Sequence, residues 1–320
     1  MTDPVAALLD ASGWAGAARA ALPGDASARG YLRLARGAET AILMQAPVAT
    51  SADRDSLAAF LRVGAHLAAL GLSAPAVIAA DPAQGLVLME DFGDATLARL
   101  LVSDPATARA GYDATAEALD RLALAPVPGW AARPDAEGQA AMIGLTLGFL
   151  PPVPMLADLP ARLAEALATH AGGPPVLALR DCHADNLVWL PDRAGPTRVG
   201  LLDYQDALAL PLGYDLASLL DDPRRDVPDA WRADLIARFA TAHGLDRAAS
   251  RLATLSLLRN LRILGIFHRL ARDGKPRYRA FLPRTAALVA RAVADPALVA
   301  LRAPVDELLH LTGPWAEAAA

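Results

Sequence analysis

Between residues 179 and 215 short apolar runs frame a dense polar cluster, and no other part of the chain restricts the fold so strongly. The segment reads R-D-C-H-A-D-N-L-V-W-L, then P-D-R-A-G-P-T-R-V-G-L-L-D-Y-Q-D-A. Brief apolar runs separated by a proline- and glycine-containing turn predict two strands, one returning after the other. A further apolar run, residues 176–179, leads into the cluster. The polar side chains are thus expected at strand ends, where they can gather at a cleft. Asp181 stands five residues before Asn186, and Asp203 ends the second strand. One carboxylate to orient a hydroxyl, plus an amide and a carboxylate to hold Mg²⁺ on nucleotide phosphates, suits phosphoryl transfer. The bland alternative is a turn in which Asp181 and Asn186 cap backbone groups; the flanking strands argue for the chemical reading.

Ahead of this cluster the pattern predicts strands near residues 17–22, 31–34 and 40–44, with the turn P-G-D-A-S-A between the first two. A helix is expected to start at Ser51 or Asp53, both good N-caps, with an apolar stripe from Leu57 to Ala68 at helical spacing. Two more strands, 76–80 and 86–89, would complete a small sheet-based lobe ending near Glu90-Asp91-Phe92-Gly93. Helix dominates from there on. Asp104-Pro105 opens one helix, residues 161–170 suggest another, and 217–310 are mainly helical. Asp215 opens a helix, so N-capping is its expected task. The acidic run Asp221, Asp222, Asp226 and Asp229 is expected as a solvated loop.

With 320 residues, 54% hydrophobic and 20% charged, the chain is globular and long enough for two lobes. A net charge of −5 gives no reason to expect nucleic acid or an anionic membrane as partner, and nothing calls for an obligate protein partner. Cys182 is the single cysteine, so no internal disulfide can form; a cysteine–histidine nucleophile with the adjacent His183 is disfavoured because neighbouring side chains point apart. The first residues lack a basic stretch and a long apolar core, so a cytoplasmic location is expected. Lysine occurs once, at Lys275, and arginine supplies the other 29 basic residues. Any task of a buried N-terminal lysine must therefore fall to something else.

D-C-H-A-D-N-L resembles the catalytic loop of the aminoglycoside phosphotransferase/choline kinase-like superfamily, and L-L-D-Y-Q-D-A its second metal-binding segment. Four further segments, G-D-A-S-A-R-G-Y-L-R, I-L-M-Q-A-P, Y-D-L-A-S-L-L-D-D and R-N-L-R-I-L-G-I-F-H-R-L, are similar to bacterial anomeric kinases for N-acetylmuramate and N-acetylglucosamine. The resemblance implies an α+β, two-lobed protein-kinase-like fold. Residues 1–91 would form a nucleotide-binding antiparallel-sheet lobe, and 92–320 a larger helical lobe with the catalytic loop and sugar-binding helices. It implies ATP and Mg²⁺ as cofactors and an amino sugar as acceptor. Asp181 would be the base, Asn186 and Asp203 the metal ligands, and Asp215 a brace for the loop, while Glu90, Asp91 and Phe92 would form the hinge at adenine.

The chain departs from the superfamily pattern at Leu179, where histidine is usual, and at Met44, which takes the place of the phosphate-binding lysine beside the nucleotide. Arg29 and Arg33, next to Ser27 and the backbone of its turn, are candidates to supply the missing charge. His183, Gln205 and Asp206 could meet the sugar. Arg259 and Arg262, three apart on one helix face, could grip a lactyl carboxylate, with Asn260 and Phe267 nearby. Two rivals stay open: an aminoglycoside or choline kinase, and a nucleotide-binding pseudokinase acting as an interaction module.

Overall fold

The computed structural model describes residues 3–22 and 28–317. Ser27 and most of the turn around it lie outside the described residues. The chain packs as two compact units: residues 1–118 with 184–207, and residues 119–183 with 208–320.

In the first unit helix α1 (Pro4–Ala11) precedes strands β1 (Ala18–Ala21), β2 (Gly30–Arg36) and β3 (Glu39–Gln45), followed by helix α2 (Ser51–Ala69) and strands β4 (Val77–Asp81) and β5 (Leu86–Glu90). All five strands join one antiparallel sheet in the order β1-β2-β3-β5-β4. The register sets Leu43 opposite Leu32 and Leu88. Side chains alternate across a sheet, so Leu43 points with Ala41 into a cluster with Leu34, Leu88, Leu9 of α1 and Trp14. Fully burying leucines of this kind stabilises by about 1.5–3 kcal/mol each. Helix α2 starts one residue earlier than the predicted caps. Thr50 is the N-cap, taking the Asp53 N–H on its hydroxyl while the Asp53 carboxylate accepts the Thr50 N–H. Asp53 is therefore the third residue of the first turn, closing a capping box.

Helices α3 (Leu97–Ser103) and α4 (Pro105–Leu124) follow, α4 running through the boundary at Ala118. The second unit holds α5 (Ala136–Ala140), α6 (Gly144–Leu147), α7 (Pro154–Ala157), α8 (Leu159–His170) and strand β6 (Pro175–Ala178). The chain then returns to the first unit for β7 (Leu187–Trp189) and β8 (Val199–Leu201), an antiparallel pair as predicted. Back in the second unit, strand β9 (Leu208–Pro211) pairs with β6, a strand the sequence did not disclose. Helices α9 (Tyr214–Leu220), α10 (Asp229–His243), α11 (Ala248–Arg272), α12 (Leu282–Val293), α13 (Arg302–Thr312) and α14 (Pro314–Glu317) complete it.

Helix α11 is the spine of that unit, packed by α6, α8, α9 and α12 and buried along most of its length. It meets α6 tightly at Gly265, whose N–H donates to the Thr146 hydroxyl while that hydroxyl donates to the Leu261 carbonyl. A Cβ at 265 would lie 2.5 Å from the Thr146 hydroxyl and 2.7 Å from its backbone nitrogen. Overpacking of about 1–3 kcal/mol should outweigh the ~1 kcal/mol gain in helix propensity. Gly265→Ala is thus expected to lower the urea midpoint with an unchanged slope; an equal or higher midpoint would show that α6 gives way freely.

Candidate active site

Where β6 ends, the chain makes an unusual turn. Arg180 adopts φ +73° and Asp203, just beyond β8, φ +57°. Neither is glycine, and such conformations cost about 1–3 kcal/mol each, so they persist where surrounding bonds enforce them.

In the second unit the enforcing group is Asp215. Its carboxylate accepts the Leu179 N–H at 2.6 Å and the Arg180 N–H at 2.9 Å, while Ser218 donates to the Arg180 carbonyl at 3.3 Å. Asp215 is not the helix cap its place in the sequence suggests. Instead it lies one residue inside α9, behind a left-handed Gly213 at the cap position, and its bonds go to the approach to Asp181. Burial raises its pKa to about 6, against the pull of the two backbone amides. Asp181 is half-buried, and its carbonyl accepts the His183 N–H at 3.0 Å. His183 is buried, which drives its pKa down to about 3, with Arg224 assisting, so the ring is neutral near pH 7. Burial also pushes the Cys182 thiol well up, which removes it as a nucleophile.

The acidic run differs from expectation. Asp221 and Asp222 are buried at 3% and 2% exposure, whereas Asp226 and Asp229 are exposed. Arginines make this tolerable: Arg232 and Arg291 pair with Asp221, and Arg224 and Arg225 with Asp222. The neighbouring helix α11 carries four of the residues expected near the acceptor. Asn260 is fully buried and donates to the Ser256 carbonyl and hydroxyl and to the Asp221 carbonyl. Arg262 is half-buried. Arg259 is only 1% exposed, yet among the described residues its Nε and Nη1 have no hydrogen-bond partner. Phe267 is buried beneath the Arg224 guanidinium, 5.3 Å from the ring centroid.

In the first unit the chain brings Asn186, Asp203, Gln205 and Arg29 together. Asn186 Nδ2 donates to Asp203 Oδ2 at 3.4 Å, and Gln205 Nε2 donates to Asp203 Oδ1 at 2.7 Å. Arg29 Nη1 donates to Gln205 Oε1 at 3.2 Å, and its Nη2 to the Ser56 hydroxyl at 2.8 Å. The Asn186 carbonyl accepts the Leu202 N–H, tying the two candidate ligands through the backbone as well. A side-chain amide oxygen and an exposed carboxylate are hard oxygen donors, so this pair fits Mg²⁺. Asp206 is exposed beside them.

The other predicted nucleotide residues are spread along the sheet. Met44 is fully buried in β3, between Tyr31 and Val87. Arg33 is held by Asp91 at 2.7 Å and Asp94 at 2.8 Å, so a phosphate there would compete with two carboxylates. Glu90 donates its N–H to the Ala76 carbonyl, and its carboxylate pairs with Arg193. Phe92 covers Gly200, where a Cβ would come within 2.5 Å of the ring. Arg193, whose guanidinium lies 5.2 Å from the Phe92 centroid and also donates to Ser73, escaped the sequence reading. It sits in the P-D-R-A-G-P turn, and nothing local marks it.

The antiparallel sheet, the helical remainder and the D-C-H-A-D-N-L and L-L-D-Y-Q-D-A segments define a phosphotransferase. A model of the phosphotransferase enzyme family matches residues 19–253, and the chain belongs to that family. It is 38% identical to the N-acetylmuramate/N-acetylglucosamine kinase of Caulobacter vibrioides, over 94% of each chain. It is 27% identical to the Pseudomonas aeruginosa protein of the same name, over 81% of this chain and 79% of that one. Among solved structures, a choline/ethanolamine kinase family protein from Mesorhizobium loti has a TM-score of 0.61 at 18% identity, covering 95% of this chain and 97% of that one, which shows the shared fold.

Proposed function

We propose that the chain transfers the γ-phosphoryl group of ATP to the anomeric hydroxyl of N-acetylmuramate, N-acetylglucosamine or both. The observation that carries this reading is the likeness, over nearly the full length of both chains, to the Caulobacter kinase named for those two sugars. Residues 1–91 are assigned to the nucleotide, with the hinge at Glu90, Asp91 and Phe92. Residues 92–320 are assigned to the loop and the acceptor. A cytoplasmic location is assigned on the need for ATP alone; no described helix is long and apolar enough to cross a membrane.

Asp181 accepts the hydrogen bond of the anomeric hydroxyl and aligns that oxygen for in-line attack. A hemiacetal hydroxyl is more acidic than an ordinary alcohol, so a carboxylate is a sufficient base. The new P–O bond forms at the anomeric oxygen as the bond to ADP breaks, and the hydroxyl proton passes to Asp181. Asn186 and Asp203 hold the Mg²⁺, which when bound offsets the phosphate charge. Asp215 holds the backbone leading to Asp181 in its left-handed turn. His183 and Asp206 are assigned to the sugar hydroxyls. Arg259 is assigned to the lactyl carboxylate: Asp215 and Asp222 already offset part of its charge, but its buried Nε and Nη1, without a hydrogen-bond partner among the described residues, are donors that a carboxylate would satisfy.

Phosphorus NMR of the product from ATP and N-acetylmuramate tests the reading directly. A resonance coupled to the anomeric proton is expected. Phosphate at another position, or turnover of aminoglycosides or choline in place of either sugar, would overturn it. ATP left intact with every acceptor would favour the interaction module.

A further inference from the structure

Asp203 carries its charge on a backbone held at φ +57°, and both of its carboxylate oxygens face an amide. Oδ1 accepts from Gln205 at 2.7 Å, while Oδ2 accepts at the longer distance of 3.4 Å from Asn186 Nδ2, an amide that turns its oxygen inward if it is to share a cation with Oδ2. The far end of the Gln205 side chain is fixed as well. Its Oε1 accepts from Arg29, whose other amino group donates to the Ser56 hydroxyl at 2.8 Å and approaches the Ser56 carbonyl at 3.4 Å. The Arg29 guanidinium also lies 5.6 Å from the centroid of Phe60, and Phe60 stacks on Tyr204 at 5.2 Å. Tyr204 in turn fills the space over Gly64, where a Cβ would fall 2.6 Å from its hydroxyl. The whole arrangement is anchored on one face of α2.

A guanidinium only donates and a carboxylate only accepts, so an amide between them has a single possible orientation. Gln205 is therefore locked end to end, with its N–H on Asp203. The interposed amide has a chemical consequence. An arginine paired directly with Asp203 would have to be displaced by an incoming divalent cation. An amide orients the carboxylate, uses one oxygen and leaves its charge in place.

We propose that Gln205, held by Arg29, is a positioning residue for Asp203, fixing the carboxylate so that Oδ2, beside Asn186, is the oxygen presented to the divalent cation. This deepens the site above and rests on the reading of Asn186 and Asp203 as metal ligands. It also gives Gln205 and Arg29 a different task from the sugar and phosphate contacts expected from sequence. Groups that hydrogen-bond a ligating carboxylate commonly govern metal affinity by about 10–100-fold.

Mn²⁺ serves as the probe, titrated by electron paramagnetic resonance into the full chain with a non-hydrolysable ATP analogue. Gln205→Leu keeps the bulk and removes both bonds, and is expected to weaken Mn²⁺ binding by about tenfold or more. The metal concentration giving half-maximal rate should rise by the same factor, with the sugar KM unchanged at saturating metal. Arg29→Met should shift Mn²⁺ affinity in the same direction by less, and Arg29→Lys should restore part of it. These two variants leave the Gln205 side chain in place and decide the matter if Gln205→Leu does not fold. Unchanged Mn²⁺ affinity in the variants, or no Mn²⁺ binding by the wild type, overturns the proposal. So does a raised sugar KM at constant metal affinity, which would return Gln205 to the acceptor. A wild type that binds Mn²⁺ more tightly than the variants yet makes no sugar phosphate sinks the assigned reaction and leaves this inference standing.

Discussion

Asp181→Asn is expected to lower kcat by about 10²–10⁴-fold while ATP still binds, because an amide of the same shape cannot take the acceptor's proton. A calorimetric titration with ATP alongside the rate measurement separates the two effects. His183 is the obvious substitute base, two residues away, and burial disqualifies it. With its pKa pushed to about 3, the ring has little affinity for a proton at pH 7. Cys182 is sealed and protonated. Residual turnover near the wild-type level in Asp181→Asn would mean that no side chain of the loop acts as base, and that positioning alone carries the rate.

Asp215→Asn should damage both the fold and the rate. A carboxylate accepts from Leu179 and Arg180 together, whereas an amide can accept on its oxygen only and turns N–H against N–H at the other. Leaving a buried donor unsatisfied costs about 1–3 kcal/mol. The released strain at Arg180 would let the approach to Asp181 move, so kcat should fall without a matching change in ATP affinity. The pH dependence supplies a second signature. The folded pKa of about 6 lies above the unfolded value near 3.8, so the native state holds this proton more tightly. Asp215 therefore makes the protein lose stability as pH rises from about 4 to about 6, by roughly 3 kcal/mol across a shift of that size. Urea unfolding of Asp215→Asn over that range should lack this component. A variant that keeps the wild-type pH slope would place the proton on another group.

The parts of this molecule that could be read from sequence are those written locally. Strands β2, β3 and β5 announce themselves through apolar runs broken by R-G-A-E and D-P-A-Q-G turns, and the β7–β8 pair through its proline–glycine turn. The capping box at Thr50 is equally local, written one residue ahead of the expected caps Ser51 and Asp53. What escaped depends on residues far apart in the chain. Strand β9 is four residues ending in proline, and it becomes a strand by pairing with β6, over 30 residues upstream. Asp215 has the spacing of a helix cap, and only the fold shows that its amides belong to Leu179 and Arg180. Asp221 is buried because Arg232 and Arg291 arrive from α10 and α12, and no run of neighbouring letters encodes that. The site followed the same rule. The types and spacing of Asp181, Asn186 and Asp203 were visible at once, but the Arg29–Gln205 support required two segments 176 residues apart to meet.

The sealed position of Cys182 has a practical side. It is the chain's sole thiol, it adjoins Asp181, and folding leaves it 2% exposed. An alkylating reagent can reach it only when this stretch breathes open. The molecule thus comes with its own clock for loop opening, and its outer surface is a blank sheet on which labels can be installed one cysteine at a time.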